Sequence, residues 1–484
     1  MSQKYGTAPV SAIDDSTSPV GAGESSALLG GYRDTTITPA AGRRDGKASM
    51  ISSVSNLANT IIGSGMLTFP LAMASAGILP GIITCVFSGS VAAFGLYLLS
   101  LCAARAPHRR SSFFAVSQMT FPRAAVFFDA AIAGKCFGVS ISYLIIIKGL
   151  MPNVVTALYH DLSSTTPPAW TLSGRIWISL FMIILVPLCF LRHLDSLRHT
   201  SYVALFSVFY LVLIVITVYF SPLEGMPERG EVHLIDFTPN FVSTFPVQVF
   251  AFTCAQNLFP IFNELKDNNQ KRMNRVITGA IGSATLTYEV IGILGYLTFG
   301  STVGANIIAM YPSTSLFIAI GQLAIVILVL FSYPLQVHPC RNSLDKVFHA
   351  ADVVKPLTAA VGDDGDDIDD DSVAELDDHA AGEMTPFKHT LLTAVVISSG
   401  FMIAFYVNDL QLVLSFVGST GSTTISFILP GLLYWQLTRA DRNRNNALSL
   451  GALALAAYGA CIFVFCLAFN IYNVISPSSG GPAH

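Results

Sequence analysis

Residues 56–70 read NLANTIIGSGMLTFP, an apolar run with Gly63, Ser64 and Gly65 at its middle and Pro70 at its end. Glycine weakens the hydrogen-bond ladder of a helix, and proline removes one of its donors. At mid-membrane depth, unwound backbone is tolerated only where it is buried in protein or lines a cavity. The stretch therefore indicates a membrane helix that is broken at a binding site. The same glycines would also suit close packing between two membrane helices.

A second stretch, FPVQVFAFTCAQNLFPIFNEL at 245–265, has the same character. Thr253, Gln256 and Asn257 lie between apolar flanks, and Pro260 follows them. Broken helices at corresponding positions in two halves of a chain are typical of transporters built from inverted repeats, which bind substrate near the membrane midplane. The recurrence of a break in the sixth span favours a binding site over helix packing alone.

The composition is that of a membrane protein. Of the 484 residues, 52% are hydrophobic and 12% are charged, and the mean hydropathy is +0.60. A soluble protein could not bury this much apolar surface. No basic face with interleaved aromatic residues occurs, so we expect no nucleic-acid partner. The eight cysteines have no CxxC or metal-ligand spacing, so we predict neither a metal site nor a cofactor.

The chain contains eleven runs that are long and apolar enough to cross a membrane, which takes about 20 residues. They lie at 51–73, 78–101, 126–150, 173–191, 200–220, 243–262, 274–299, 313–337, 388–407, 411–435 and 448–473. Lysine and arginine fall mostly in the connections on one side, because the opposite connections hold only Arg175 and Arg229. By the positive-inside rule the N-terminus is cytosolic, and eleven spans place the C-terminus on the other side. Ten or twelve spans would break this alternation.

These spans predict an all-α integral membrane protein with a five-plus-five inverted repeat. Spans 1–5 at 51–220 and spans 6–10 at 243–435 would form the two repeats, and span 11 at 448–473 is an additional helix. Together they give a transmembrane transporter domain at 49–473. The remaining segments are expected to be a disordered cytosolic tail at 1–48, an acidic disordered cytosolic loop at 345–386 and a lumenal tail at 474–484.

Five blocks of sequence carry a resemblance to a known family. They are NTIIGSGMLTFPLAMASAG at 59–77, KCFGVSISYLIIIKGLMP at 135–152, FTCAQNLFPIFNEL at 252–265, GYLTFG at 295–300 and SYPLQVHPCRNSL at 332–344. In these blocks the chain resembles the amino acid/auxin permease family, which includes fungal vacuolar amino-acid transporters and animal sodium-coupled neutral amino-acid transporters. The third block is most similar to the fungal vacuolar branch. The resemblance covers 49–473 and implies an amino acid-polyamine-organocation, or LeuT-like, fold with amino acids as substrates.

The resemblance also implies a coupling-ion site between spans one and eight. Asn59 stands where the family's span-one asparagine is tied to cation or substrate binding. Ser332 stands where sodium-coupled relatives place a threonine that helps to hold the ion. Ala255 replaces a histidine of many relatives, which removes a group that titrates near neutral pH. Coupling through that histidine is therefore not expected here, and H⁺ and Na⁺ both stay open.

The broken spans and the resemblance together predict where an amino acid binds. The freed amides of a half-helix would hold the substrate carboxylate, and freed carbonyls would hold its ammonium group. Tyr143 in span three would close the side of the site. The predicted substrate-binding residues are Thr60, Ile62, Gly63, Ser64, Gly65, Met66, Tyr143, Phe252, Thr253, Cys254 and Gln256.

Charged residues within membrane spans are energetically expensive and are therefore functional candidates. Glu289 lies in the middle of span seven, and Lys135 lies near the start of span three. Glu289 would suit a coupling proton, although it would also suit pairing with a lysine or contact with water. Lys148 lies near the end of span three, and we expect it to reach the membrane interface without a further role.

Two polar segments lie outside the spans. In the tail, Glu24, Leu28 and Leu29 fit the acidic dileucine pattern ExxxLL, which a cytosolic sorting adaptor recognises. The acidic run at 363–378 does not fit a calcium-binding EF-hand loop, because Gly365 falls third rather than sixth. The sorting pattern and the fungal resemblance favour the vacuolar, lysosome-like membrane, with the plasma membrane as the alternative.

The sequence as a whole favours a secondary active amino-acid transporter that works by alternating access and is driven by protons. The direction of transport stays open. One alternative is a sensor that binds an amino acid with little flux, and another is a sodium-coupled importer of the plasma membrane. An enzyme is disfavoured, because no connection carries a nucleophile–base pair or a metal-ligand cluster.

Overall fold

The computed structural model describes residues 46–106, 111–121, 125–162, 166–191, 200–348, 385–441 and 445–476. Within these ranges the chain is helical, and the one isolated β-bridge joins Ala48 to Leu265. Most of the predicted tail and of the acidic loop lies outside the described residues. The predicted sorting residues Glu24, Leu28 and Leu29 also lie outside them.

The described chain folds into α-helices that are joined by short turns. In order they are α1 (Met50–Ile61), α2 (Phe69–Ala74), α3 (Ile78–Ala103), α4 (Phe113–Gln118), α5 (Ala125–Leu162), α6 (Gly174–Cys189), α7 (Thr200–Phe220), α8 (Phe241–Ala251), α9 (Leu258–Glu264), α10 (Gln270–Phe299), α11 (Leu316–Phe348), α12 (Pro386–Tyr406), α13 (Leu410–Val417), α14 (Leu429–Leu437) and α15 (Asn446–Ile475).

Nine helical segments in this part of the chain are long and apolar enough to cross a membrane. The bent pair formed by α1 and Ser64–Ala74 adds a tenth if it is one span. Helix α6 is apolar but has only 16 residues. These segments follow the order of the eleven predicted runs. The count of eleven crossings and the assignment of sides stay predictions.

The first span is broken directly after α1. Ile62 has extended backbone, with φ −75° and ψ 96°, and Gly63 follows with φ −143° and ψ −147°. A 3-10 turn then begins at Ser64 and leads into α2. The segment Ser64–Ala74 is bent by 50° from α1. The helix therefore breaks at the glycine–serine–glycine sequence that predicted it.

The sixth span is broken after α8. Residues 252–254 are not helical, and a 3-10 turn at Ala255–Asn257 leads into α9. Gly65 lies against the end of α8, so that a Cβ at position 65 would lie 2.8 Å from the Cβ of Ala251. Non-bonded carbons pack best at about 3.5–4.0 Å. A glycine at position 65 is thus what lets the two broken spans touch.

The tenth span also packs against α8. It consists of α13, two π-helical turns at Gly418–Ser422 and Thr424–Ile428, and α14. A Cβ at Gly418 would lie 1.9 Å from the carbonyl oxygen of Pro246 in α8, so the two backbones are in contact. The first part of the broken sixth span is therefore fixed by backbone packing on both sides.

Lys148 does not extend to the membrane interface as the sequence led us to expect. Its side chain is buried, and its ammonium group donates hydrogen bonds to the carbonyls of Ala404 and Val407 at the end of α12. The last carbonyls of a helix have no partner within the helix and carry partial negative charge. The lysine is held inside the protein because it satisfies these carbonyls.

A connection between α7 and α8 forms a strap across the predicted lumenal end of the first span. The amides of Ile78 and Leu79 donate to the carbonyls of His233 and Leu234, at 3.2 and 3.1 Å. In return, the strap donates from Asp236 to the carbonyl of Ala76 at 2.9 Å. At its other end the amide of Gly230 donates to the carbonyl of Phe299, the last residue of α10. The strap, residues 230–238, thus joins the ends of the first and seventh spans.

Eleven crossings would place the two termini on opposite sides of the membrane. In sealed vesicles with the cytosolic face outward, we expect protease to remove an N-terminal epitope and to leave a C-terminal epitope intact until detergent is added. Cleavage of both epitopes in sealed vesicles, or protection of both, would contradict the count.

Candidate functional site

A cavity of about 770 Å³ is lined by the two broken spans together with α5 and α11. It contains residues that were predicted for the substrate and residues that were predicted for a coupling ion. The predicted site residues that line it are Asn59, Thr60, Ile62, Gly63, Ser64, Tyr143, Gln256 and Ser332. The fold therefore gathers both sets of residues around one space.

Six other predicted site residues do not line the cavity. They are Gly65, Met66, Phe252, Thr253, Cys254 and Glu289. Met66, Phe252 and Cys254 are almost completely buried in the core. The hydroxyl of Thr253 donates to the carbonyl of Val249 in α8, at 3.0 Å. These side chains pack behind the wall because a break turns neighbouring residues to different sides, which a linear sequence does not reveal.

The break in the first span presents free hydrogen-bond donors to the cavity. Gly63 and Ser64 line it, and no described residue accepts a hydrogen bond from either amide. The Oγ of Ser64 is also buried without a partner. Adjacent unpaired amides at the start of a helical segment are suited to an anion such as a carboxylate. Gln256, in the break of the sixth span, also lines the cavity. Its Oε1 is a buried acceptor that has no hydrogen-bond donor among the described residues.

Tyr288 in α10 connects the two breaks. Its hydroxyl lies 2.7 Å from the carbonyl oxygen of Ile61 and 3.0 Å from that of Ala251, the last residues of α1 and α8. The ring is fully buried and stacks on Phe69 with a centroid distance of 4.3 Å. Phe252 contacts it edge-on at 5.2 Å. One hydroxyl therefore serves the carbonyl ends of both broken helices, and no motif in the sequence distinguished this tyrosine from the others.

A second bond joins the broken spans inside the cavity. The side-chain amide of Asn257 donates to the hydroxyl of Thr60 at 2.7 Å. The same hydroxyl donates to the carbonyl of Asn56 at 3.0 Å, so its proton is already used. Thr60, predicted as a substrate ligand, is thus also a structural link between the spans. Asn257 was visible in the sequence as part of the polar cluster of span six, although it was not assigned to the site.

Asn59 on α1 and Ser332 on α11 both face the cavity. An amide oxygen and a hydroxyl are the oxygen ligands that hard cations prefer. Among the described residues, no group of three or more His, Cys, Asp or Glu is arranged to hold a metal ion. A cation at Asn59 and Ser332 would therefore be bound by neutral oxygens.

The lining of the cavity extends to the predicted cytosolic side of the protein. Its lining reaches Lys346 near the end of α11, which is exposed, and Ser111 in the connection before α4. The hydroxyl of Ser111 donates to Oδ1 of Asn263 at 2.6 Å, which joins this connection to α9. The buried, stacked rings of Phe69 and Tyr288 are not part of the lining.

Glu289 lies outside the cavity, next to Tyr288 along α10. Both carboxyl oxygens are buried, and their neighbour among the described residues is the thiol of Cys85 in α3. The two lysines within the third span, Lys135 and Lys148, form no ion pair with it in the described chain. Of the three environments that the sequence left open for Glu289, pairing with a lysine is not observed.

A family model, curated proteins and a solved structure are similar to this chain. The family described as "Transmembrane amino acid transporter protein" matches residues 46–476. The chain is 42% identical to "Vacuolar amino acid transporter 5" of Schizosaccharomyces pombe over 88% of this chain and 95% of that protein. It is 34% identical to "Vacuolar amino acid transporter 6" of Saccharomyces cerevisiae, over 87% and 98%. In fold it resembles the crystal structure of MhsT in complex with L-phenylalanine, with a TM-score of 0.50 and 13% identity, over 88% of this chain and 100% of that one.

Replacing Tyr288 with phenylalanine should remove the single hydroxyl proton that the buried carbonyls of Ile61 and Ala251 share. We expect the Tyr288→Phe protein to lose about 1–3 kcal/mol of stability, the usual effect of an unsatisfied buried polar group. The measurement is thermal unfolding of the purified protein in detergent. Tyr311→Phe is the control, because the hydroxyl of Tyr311 is buried without a partner. Equal melting temperatures for the two variants would contradict the linking role.

Proposed function

Because the chain belongs to the family of transmembrane amino acid transporter proteins, we propose that it is a secondary active transporter of amino acids in the vacuolar membrane. The observation that carries the proposal is one cavity between two broken spans, in which the amides of Gly63 and Ser64 have no acceptor among the described residues. The vacuolar location and the substrate class come from the names of the relatives, which are vacuolar amino acid transporters.

The substrate would be held mainly by backbone and neutral polar groups. The amides of Gly63 and Ser64 bind the α-carboxylate, and Oε1 of Gln256 accepts from the ammonium group. Tyr143 on α5 closes the side of the site. Backbone ligands recognise the part that all amino acids share, and this arrangement is used at the breaks of other transporters with inverted repeats.

Alternating access requires the cavity to open first to one side of the membrane and then to the other. The lining that reaches the exposed residue Lys346 supports a conformation open to the predicted cytosolic side, and the buried rings of Phe69 and Tyr288 are the proposed lumenal closure. The bond from Asn257 to Thr60 and the contact of Gly65 with Ala251 tie the broken spans to each other. We therefore propose that the two broken spans move as a unit against α5 and α11, with the substrate between them.

The driving ion is proposed to be the proton, because the compartment implied by the relatives is acidic. Glu289 is the proposed carrier of that proton, and its buried carboxyl oxygens support the assignment. Asn59 and Ser332 provide an alternative site for Na⁺, since both line the cavity with oxygen ligands. Delivery to the vacuolar membrane is proposed to use Glu24, Leu28 and Leu29, which a cytosolic adaptor would bind.

Purified protein in proteoliposomes should accumulate labelled amino acids when a proton gradient is imposed. Little accumulation is expected with a sodium gradient alone or with no gradient. If sodium drives uptake instead, Asn59→Ala and Ser332→Ala should each raise the sodium concentration that is needed for half-maximal uptake. Saturable binding of amino acids without accumulation under any gradient would replace the transporter proposal with a sensor.

The Glu289→Gln variant separates proton coupling from substrate binding. If Glu289 carries the coupled proton, the glutamine variant should exchange internal for external amino acid but should no longer accumulate it under a proton gradient. The control is Glu264→Gln, at an exposed position on the end of α9. Gradient-driven accumulation by Glu289→Gln at the wild-type level would rule out this residue as the carrier.

A further inference from the structure

Lys135 on α5 places a positive charge in the wall of the cavity. The residue lines the cavity, and only 6% of its surface is exposed. Its side chain is enclosed by the tenth span, because a Cβ at Gly421 would lie 2.8 Å from the Cβ of Lys135. The titratable groups nearest to it are the thiols of Cys136 and Cys254. The ammonium group therefore lies beside the break of the sixth span.

No group in the described chain neutralises this charge. Lys135 makes no ion pair and no hydrogen bond there. Asp129 is the only carboxylate among the described residues that line the cavity, and its neighbours are Lys346 and Ser343 at the cytosolic mouth. An ammonium group with this little exposure is only partly hydrated, so an anion that enters the cavity can form a favourable ion pair with it.

Lys148, thirteen residues later on the same helix, shows how the protein otherwise treats a buried ammonium group. Two carbonyls at the end of α12 accept its hydrogen bonds. It does not line the cavity. The chain thus provides two acceptors for one buried lysine of α5 and leaves the other open to the space where a ligand enters. The difference points to a ligand as the missing partner of Lys135.

We infer that Lys135 forms an anion-binding subsite that takes a carboxylate of the transported amino acid. The inference rests on the proposed function, since it supposes that amino acids enter this cavity. The carboxylate is either the α-carboxylate, shared with the amides of Gly63 and Ser64, or the side-chain carboxylate of an acidic amino acid. Lys135 is in both cases a residue that contacts substrate and sets selectivity for anionic groups.

Protection of Lys135 from chemical labelling tests the subsite in the unmodified chain. The purified full-length protein is acetylated with an N-hydroxysuccinimide ester, and the labelling of each lysine is read by peptide mass spectrometry. Four labelling reactions are compared. They contain L-leucine, L-glutamate, L-leucinol or no added ligand, and L-leucinol lacks a carboxylate. We expect carboxylate-bearing ligands to slow labelling of Lys135 at least about threefold and leucinol to have no effect. Lys271, which is exposed near the start of α10 and does not line the cavity, is the internal control.

The same four reactions also identify which carboxylate of the amino acid is bound. Protection by both L-leucine and L-glutamate assigns the α-carboxylate, and protection by L-glutamate alone assigns the side chain. Equal protection by leucinol would overturn the inference, because occlusion and not charge pairing would then explain the effect. An amino acid that raises the melting temperature without protecting Lys135 would also overturn it. If no amino acid changes either measurement, the proposed function fails and the subsite fails with it.

Two substitutions supply an independent measurement of affinity. Lys135→Met keeps the length of the side chain and removes the charge, so binding of the protecting amino acid should weaken at least about tenfold. Lys135→Arg keeps the charge and should stay within about threefold of wild type. Lys271→Met, at an exposed position near the start of α10, is the matched control. Equal affinities for Lys135→Met and Lys271→Met would contradict the role of the charge.

Discussion

The structure depends on one constraint, that backbone polar groups within a membrane need partners. Breaking α1 after Ile61 and α8 after Ala251 frees carbonyls and amides that no lipid can satisfy. The hydroxyl of Tyr288 serves the carbonyl ends of both helices. The amides of Gly63 and Ser64, which line the cavity, have no acceptor among the described residues. The break thus leaves two backbone donors that a ligand can use.

The same division applies to the buried charges of α5. Lys148 completes the end of a neighbouring helix and contributes to the fold. Lys135 lies in the cavity wall and contributes to the site. Both residues have the same side chain and similar burial. Their roles differ because one meets carbonyls of the protein and the other meets the space that the breaks create.

The sequence predicted the fold class and the position of both breaks, because glycine, serine and proline act on the backbone locally. It also assigned Asn59, Thr60, Gly63 and Ser332 to substrate or ion binding; these residues line the cavity, and their roles stay predictions. It did not separate these from Met66 or Cys254, since the direction of a side chain next to a break depends on the turn that forms there. Tyr288 and Lys148 escaped prediction because their partners are carbonyls that are more than 30 residues away in the chain.

The strap at 230–238 links this machinery to the lipid around it. Its backbone is hydrogen-bonded to the residues that follow α2, while the side chains of Leu234, Ile235 and Phe237 are exposed. Apolar and aromatic side chains at the boundary of a bilayer hold their segment at a preferred depth. A change in the thickness of the bilayer acts on such anchors. If the strap lies at the bilayer boundary, its hydrogen bonds would carry such a change to the half-helix α2 of the broken first span.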